Sequence, residues 1–423
     1  MRKWQIFMLV LVGVGLLGIA LYQLPPVQQR LSWRLDFALA YLRGVVNPVE
    51  PLPTPAPTPT DQLPNPDVAV ELNTKFTATA TQTPTEQPSP TPGPTATPAA
   101  TATPRPASVS LTAPGWEKQD INNCGPASLS MYLRYYGWNG DQYDIAALLK
   151  PTRQDRNVNV DELVYYVRTN AGWLNAEYRV AGDLELIKEL VAAGIPVLVE
   201  ESFSFEAPYW PNDDLWAAHY NLITAYDDEG GTFTGQDSYH GPDQEIAYET
   251  LDEYWEAFNR VYIVVYPPEQ EDLVRDILGE DWDVARNRQN ALKESRLATA
   301  TDPENAFAWF NLGTNLTYFE RYAEAAEAFD MARTLGLPQR MLRYQFGPFI
   351  AYFHSGRIED LMTLAEYALQ RTPNAEEALL WRGWGNYRLG NTAQALADFR
   401  QALVENGNYL DAQYALDYVY QNP

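Results

Sequence analysis

The sequence predicts an α+β domain followed by an all-α repeat domain, both placed behind an N-terminal transmembrane helix and a disordered, proline-rich linker. Three observations carry this expectation. Between Ser108 and Tyr266 helical patterns come first and mostly antiparallel strand patterns follow, the order of an α+β fold. From Pro267 onward the chain reads as helices alone, with small or apolar residues recurring at spacings of 36 and then 34 residues. Ahead of both lie a long uncharged run and a stretch built almost entirely of Pro, Thr, Ala and Ser.

Trp4 to Gln29 carry no charge, and Ile6 to Tyr22 are apolar or glycine behind the basic pair Arg2-Lys3. Residues 4–26 therefore read as an uncleaved signal-anchor, since no small-x-small cleavage site precedes Pro25-Pro26. Arg2 and Lys3 favour a cytoplasmic N-terminus, against competition from Arg30, Arg34 and Arg43, which places the globular part outside the cell as a single-pass, membrane-anchored protein. Residues 27–107 are a juxtamembrane segment, amphipathic from Leu31 to Val46, and then a Pro/Thr-rich spacer from Pro48 to Pro106, too poor in apolar side chains to build a core.

Residues 108–267 hold the α+β pattern. A helix follows Cys124, because Leu129, Tyr132, Leu133 and Tyr136 recur at helical spacing, Pro126 suits a first turn and Gly137 suits a stop. Helical patterns over Tyr143–Leu149 and Val160–Arg168 precede a short strand, Ala176–Val180, and a helix, Asp183–Ala193. Ile195-Pro-Val-Leu-Val199 reads as a buried strand. Ala218–Tyr226 and Gly231–Gln236 form a hairpin around Asp227-Asp-Glu-Gly230, and counting back from its turn brings His219 opposite Asp237 or Ser238. A helix over Leu251–Phe258 and a strand over Val261–Tyr266 complete the domain.

Residues 268–423 repeat. Ala325, Leu361 and Ala395, then Phe329, Ala365 and Phe399, then Ala332, Ala368 and Ala402 each mark the second helix of a unit. Gly313 and Gly383 sit in the preceding helices, Ala291, Ala298 and Pro303 suggest an earlier degenerate unit, and Leu410 to Tyr420 caps the array. This resembles the tetratricopeptide repeat, which implies stacked helix pairs and a concave face that recruits a protein or peptide.

Composition excludes several functions. The 423 residues carry 55 acidic and 30 basic side chains, a formal charge of -25, which disfavours nucleic-acid binding. One cysteine and three histidines at no common ligand spacing predict no metal, and nothing implies a cofactor. That lone cysteine, Cys124, stands at a helix N-terminus, where unpaired N–H groups and the helix dipole stabilise a thiolate. A thiol there, a histidine beginning a later strand and an acid on the next are the parts of a cysteine hydrolase. His240, beside Gly241-Pro242, reads as a loop residue, His354 as a helix-end residue, and Asp213-Asp214 as a solvated turn. Trp138, Trp173, Trp210 and Trp216 read chiefly as core, with some able to line a peptide cleft.

Cys124-Gly125-Pro126-Ala127-Ser128-Leu129, the Gly194-Ile-Pro-Val-Leu-Val strand, Ala218-His219-Tyr220 and Gln236-Asp237-Ser238 together resemble the double-glycine peptidase-like family. The resemblance covers about residues 108–266 and implies a papain-like cysteine peptidase domain. Residue by residue it implies Cys124 as nucleophile, His219 as general base, Asp237 as the group that orients it and Gln119 as oxyanion donor. The family's glutamine often stands six residues before the cysteine, where this chain has Lys118; Gln119 stands five before it. The expected reaction is peptide hydrolysis through an acyl-enzyme. A non-hydrolytic peptide-binding scaffold, or acyl transfer to an amine, would use the same set of residues.

Overall fold

The computed structural model describes residues 3–22, 24–56, 105–152 and 155–422. Most of the expected disordered linker, 57–104, lies outside them. The apolar N-terminal run forms helix α1 (Lys3–Tyr22), and Pro25-Pro26, whose missing N–H groups cost nothing in a first turn, open α2 (Pro25–Val46). Among the described residues no helix is long and apolar enough to cross a membrane, so the expected span over 4–26 finds no support there. The helix stops at Tyr22, ahead of the proline pair, and several of its side chains lie outside the described set.

Seven strands make one antiparallel sheet: β1 (Ser108–Ser110), β2 (Asn175–Arg179), β3 (Val197–Ser204), β4 (Trp216–Asp227), β5 (Thr232–Asp237), β6 (Gly241–Ala247) and β7 (Tyr262–Tyr266). Their order is β2-β7-β3-β4-β5-β6, with β1 paired to the far end of β4. Alternation along the strands feeds two cores. Leu198, Leu222, Ile263 and Val265 face helices α3 (Cys124–Tyr135), α4 (Gln142–Leu149) and α5 (Val160–Asn170). Val197, Val199, Ile223, Tyr262 and Val264 face α6 (Leu184–Ala192), α7 (Tyr248–Glu256) and α8 (Glu271–Leu278). A sheet covered on both faces explains why Val261 to Tyr266 is apolar without interruption. Tyr132 ties α3 to this sheet, accepting from the Val265 N–H at 2.8 Å and hydrogen-bonding the Pro196 carbonyl. The element that begins with Cys124 is thereby fixed against β3 and β7.

The remaining helices are α9 (Val284–Thr301), α10 (Ala306–Tyr318), α11 (Tyr322–Leu335), α12 (Gly347–His354), α13 (Ile358–Arg371), α14 (Glu376–Arg388), α15 (Thr392–Glu405) and α16 (Leu410–Gln421). Each packs on the next, as the recurrence of small residues predicts. A Cβ on Gly313 would lie 2.6 Å from the Phe329 ring, and one on Gly383 would lie 2.4 Å from the Phe399 ring. The middle pair exchanges the sizes, with Phe349 on the first helix and Ala365 on the second, both fully buried.

The helical part is docked on the sheet part through groups that composition alone reads as surface. The expected solvated turn at Asp213-Asp214 holds for Asp214, which is exposed, but not for the Asp213 carboxylate. Asp213 is buried and grips Arg340 through both carboxylate oxygens at 2.6 Å, with Asp214 at 3.3 Å from the same guanidinium. A second correction concerns Pro48 to Pro55, expected as solvated spacer: Val49 and Leu52 are buried, Leu52 within the core of the repeats. They are the only Val and Leu side chains in a stretch otherwise made of Pro, Glu and Thr, and burying them outweighs leaving the segment solvated.

Candidate active site

Cys124 is the first residue of α3, so its backbone N–H is one of the four that a helix leaves without an internal partner. Its thiol is partly accessible and hydrogen-bonded by the His219 side chain. His219 is buried on β4, and its Nε2 lies 2.9 Å from Asp237 Oδ1, at the end of β5. With Nε2 engaged there, Nδ1 is the ring nitrogen left for the sulfur. Gln119 gives its backbone N–H to the Ser238 carbonyl at 2.9 Å and accepts from Ser238 Oγ on Oε1 at 2.9 Å. This fixes the amide so that its NH2 end is the side still available as a donor. The structure thus brings all four sequence-predicted residues into one neighbourhood, and Gln119, Cys124 and His219 line a single cavity of about 530 Å3.

The meeting of His219 with Asp237 differs from the expected register. Asn221, not His219, stands opposite Asp237. The turn takes four residues, with Gly231 in the left-handed region at φ +65°, and the ladder shifts between Ile223 and Ala225. Together these displace the pairing from a simple count. His219 still shares a face with Asn221, two residues away, so it reaches Asp237 along the diagonal.

Electrostatics favour a charged pair. Burial alone would push the Cys124 thiol up, but the His219 hydrogen bond and charge outweigh it and hold the thiol below its ordinary value, with help from the Lys150 cation. Burial alone would lower His219; hydrogen bonds and charge from Asp237 and Cys124 raise it to about 10. Asp237 is held far below the carboxylate range, because the His219 hydrogen bond and charge overcome the burial that would raise it.

Two neighbours escaped the sequence reading. His240 lies in the turn after β5, as a loop residue should, yet its Nδ1 is 2.8 Å from Asp237 Oδ2. The signal was its offset of three residues from Asp237, whose Oδ1 accepts from the Tyr239 and His240 N–H groups at 2.7 and 3.1 Å and so curls the chain back. Glu201 pairs directly across the sheet with His219, and burial pushes its carboxyl up to about 7 while His219 and the hydrogen bond from Asn221 pull it down. Nothing in the sequence around Glu201 marks it; only the β3–β4 register does. Phe203 packs its ring 5.2 Å from His219 and 5.0 Å from Tyr239, walling the site on the β3 side. His354 stacks on Tyr322 at 4.4 Å within the repeats. Among the described residues no group of His, Cys, Asp and Glu is arranged to hold a metal ion.

Similar solved structures include one described as a C39-like peptidase from Bacillus anthracis, with 17% identity over 37% of this chain and 96% of that one and a TM-score of 0.30. Another is a double glycine motif protease from an AMS/PCAT transporter in complex with the leader peptide, with 16% identity over 38% and 94% and a TM-score of 0.28. A third is YrrB, described as a TPR protein with an unusual peptide-binding site, with 18% identity over 36% and 74% and a TM-score of 0.29. No curated protein matches the chain. The model of the Peptidase_C39 like family does match residues 110–263, the span that carries Cys124, His219 and Asp237 on a papain-like α+β domain, and the activity this match suggests is that of a cysteine peptidase.

Proposed function

We propose that the protein is a cysteine peptidase that hydrolyses peptide bonds through Cys124, His219 and Asp237. The observation that carries this reading is the relay from Asp237 to His219 at 2.9 Å and on to the Cys124 thiol, at the wall of an accessible cavity. The thiolate attacks the scissile carbonyl carbon, and the Cys124 N–H with the Gln119 amide receives the negative charge that develops on oxygen. His219 gives its proton to the leaving amine, and the C–N bond breaks to leave a thioester on Cys124. Water then attacks that thioester, His219 takes a proton from the water, and the acid product leaves as the thiol is restored. Asp237 holds the ring with Nδ1 toward sulfur and stabilises its charged form.

The repeats would supply the second function, binding a protein or peptide, and α1 would anchor the whole to a membrane with the globular part outside the cell. Exposed Val12, Val14, Leu16, Leu17 and Leu21 along α1 support the anchor. Incubating the purified full chain with mixed peptide libraries tests the chemistry: new peptide termini and a thioester-linked mass on Cys124 are expected, and both should vanish in Cys124→Ala. Products carrying an added amine instead of water would identify acyl transfer. Absence of cleavage together with unchanged peptide binding by Cys124→Ala would leave a binding scaffold. Carbonate-resistant membrane retention and protease accessibility of intact cells test the anchor and its orientation.

A further inference from the structure

The repeat helices hold an extended peptide, and it comes from their own chain. After α2 the backbone runs without helix or strand from Pro48 to Ala56. Its carbonyls are read by side chains alone: Pro48 O accepts from Arg371 Nη2 at 3.4 Å, Glu50 O from Tyr367 Oη at 2.8 Å, and Pro53 O from Arg333 Nε and Nη2 at 3.0 and 2.7 Å. Prolines at 48, 51, 53 and 55 keep this strap extended and leave fewer N–H groups to satisfy, while Leu52 enters the apolar core between them. This is how a groove recognises a proline-rich ligand. Arg333 is almost completely buried and spends its third donor on Asp360 and Tyr352. Without the strap, two buried guanidinium donors would lose their acceptor.

The strap also governs what lies next to it. Leu39, Ala40, Arg43 and Gly44 of α2, with Val49, form a wall of the cavity that contains Cys124 and His219. Phe37 packs on Tyr209 with ring centroids 5.1 Å apart, and a Cβ on Gly44 would lie 2.4 Å from the Trp210 Cβ, so α2 rests here only because residue 44 is glycine. We infer that residues 37–53 are an internal ligand of the repeats: the groove made by Arg333, Tyr367 and Arg371 binds an extended Pro-Leu-Pro segment, and with this segment in place α2 narrows the catalytic cavity and slows the entry of peptides. A proline-rich segment of another molecule competes for the same groove and opens the cavity. The single chain gives the internal segment the advantage of high effective concentration, so the competing peptide must be tight or abundant.

The inference needs a reachable thiol and not peptide hydrolysis, so it can fail while the peptidase reading holds, and the reverse. Cys124 is the only cysteine, which makes labelling of the full chain in detergent unambiguous. Leu52→Asp should speed labelling by a polyethylene-glycol maleimide about tenfold, and Tyr367→Phe, which removes one hydroxyl and spares the core, about threefold, while iodoacetamide rates stay within about twofold. A synthetic peptide of residues 46–56 should bind the Leu52→Asp protein in fluorescence anisotropy and, at saturation, speed maleimide labelling of the wild type. Equal acceleration of the small and the bulky reagent, unchanged bulky-reagent rates in both variants, or no binding of the peptide to Leu52→Asp would each overturn it.

Discussion

His240 Nδ1 lies 2.8 Å from Asp237 Oδ2, the carboxylate oxygen opposite the one that His219 engages at 2.9 Å. Asp237 is therefore held from both sides, and its charge supports two imidazoles at once. The two rings do different work, since only His219 reaches the thiol. Asp237→Asn should lower kcat/KM on a cleaved peptide by roughly 10²- to 10⁴-fold, because the ring loses both its orientation and the charge that keeps it protonated. His240→Ala should cost about three- to tenfold, mainly in kcat, and His240→Asn should recover part of it by restoring a donor to Oδ2. Steady-state kinetics of the three variants check the order; equal losses for Asp237→Asn and His240→Ala would contradict this division of roles.

The charged pair sets a pH window. The Cys124 thiol sits below its ordinary value and His219 is raised to about 10, so thiolate and imidazolium coexist between the two. An unperturbed thiol with a pKa of about 8.5 would lose reactivity steadily as pH falls through neutrality. Iodoacetamide labelling of Cys124 should instead persist to lower pH than that of free cysteine before it falls. The stability that the raised His219 contributes is fully present below the ring's unfolded value and is lost as pH rises through about 10. Replacing Asp237 by Asn should move the acid limb of the labelling profile upward, since His219 then loses its proton earlier and no longer steadies the thiolate. A profile in wild type that follows free cysteine would refute the pair.

Much of this site is legible in the chain, and what escapes does so for identifiable reasons. Cys124 is readable because the helix signal after it is local: apolar spacing, Pro126 and Gly137. That His219 and Asp237 belong to adjoining strands is likewise local, a hairpin between two apolar runs. The register is not, because the four-residue turn sits one position further along than expected, over 228–231, and a shift near Thr224 takes back part of that offset, neither of which changes the apolar pattern. Glu201 is invisible for the same reason, as its role follows only from which β3 residue faces His219. Strand β6 was missed because Gly241-Pro-Asp-Gln-Glu-Ile-Ala is an edge strand with little apolar content. Burial of Val49 and Leu52 could not be read at all, since the side chains that hold this segment, through the Pro53 and Glu50 carbonyls, lie 280 and 317 residues further along.

The repeat helices offer a test of packing that needs no substrate. In two units a glycine on the first helix receives a phenylalanine ring from the second, Gly313 with Phe329 and Gly383 with Phe399, whereas the middle unit uses Phe349 with Ala365. Total volume changes by only one methyl group while the partners trade. Gly383→Phe alone should destabilise strongly, by about 3 kcal/mol or more, because even a Cβ would stand 2.4 Å from the Phe399 ring. Phe399→Ala alone should cost about 3–5 kcal/mol through the cavity it leaves. The double exchange Gly383→Phe with Phe399→Ala reproduces the middle unit and should recover at least half of the summed loss. Thermal melts of the four proteins decide it, and strict additivity of the two losses would show that the units are not interchangeable.

The catalytic cavity is basic inside a strongly acidic protein. Arg43, Lys118, Arg156, Arg340, Arg343 and Arg371 line it, against Asp120 as the one acidic lining residue among those described, while the chain as a whole carries a formal charge of -25. Asp213 and Asp214 neutralise Arg340. Arg343 is different: it donates to Thr372 Oγ1 at 3.1 Å, and burial, with Arg156 and Arg340 nearby, lowers it to about 10. A cation made costly by burial is stabilised by an incoming carboxylate. Peptides with Asp or Glu beside the scissile bond should therefore be cleaved with kcat/KM about tenfold or more above the same peptides carrying Lys, the gap closing as salt is raised. Arg343→Gln should shrink the preference without changing the labelling rate of Cys124, which separates recognition from nucleophile activation. Acidic and basic peptides cleaved alike at low ionic strength would mean that the substrate does not meet these arginines, and that their charge serves the fit of α2 and the strap instead.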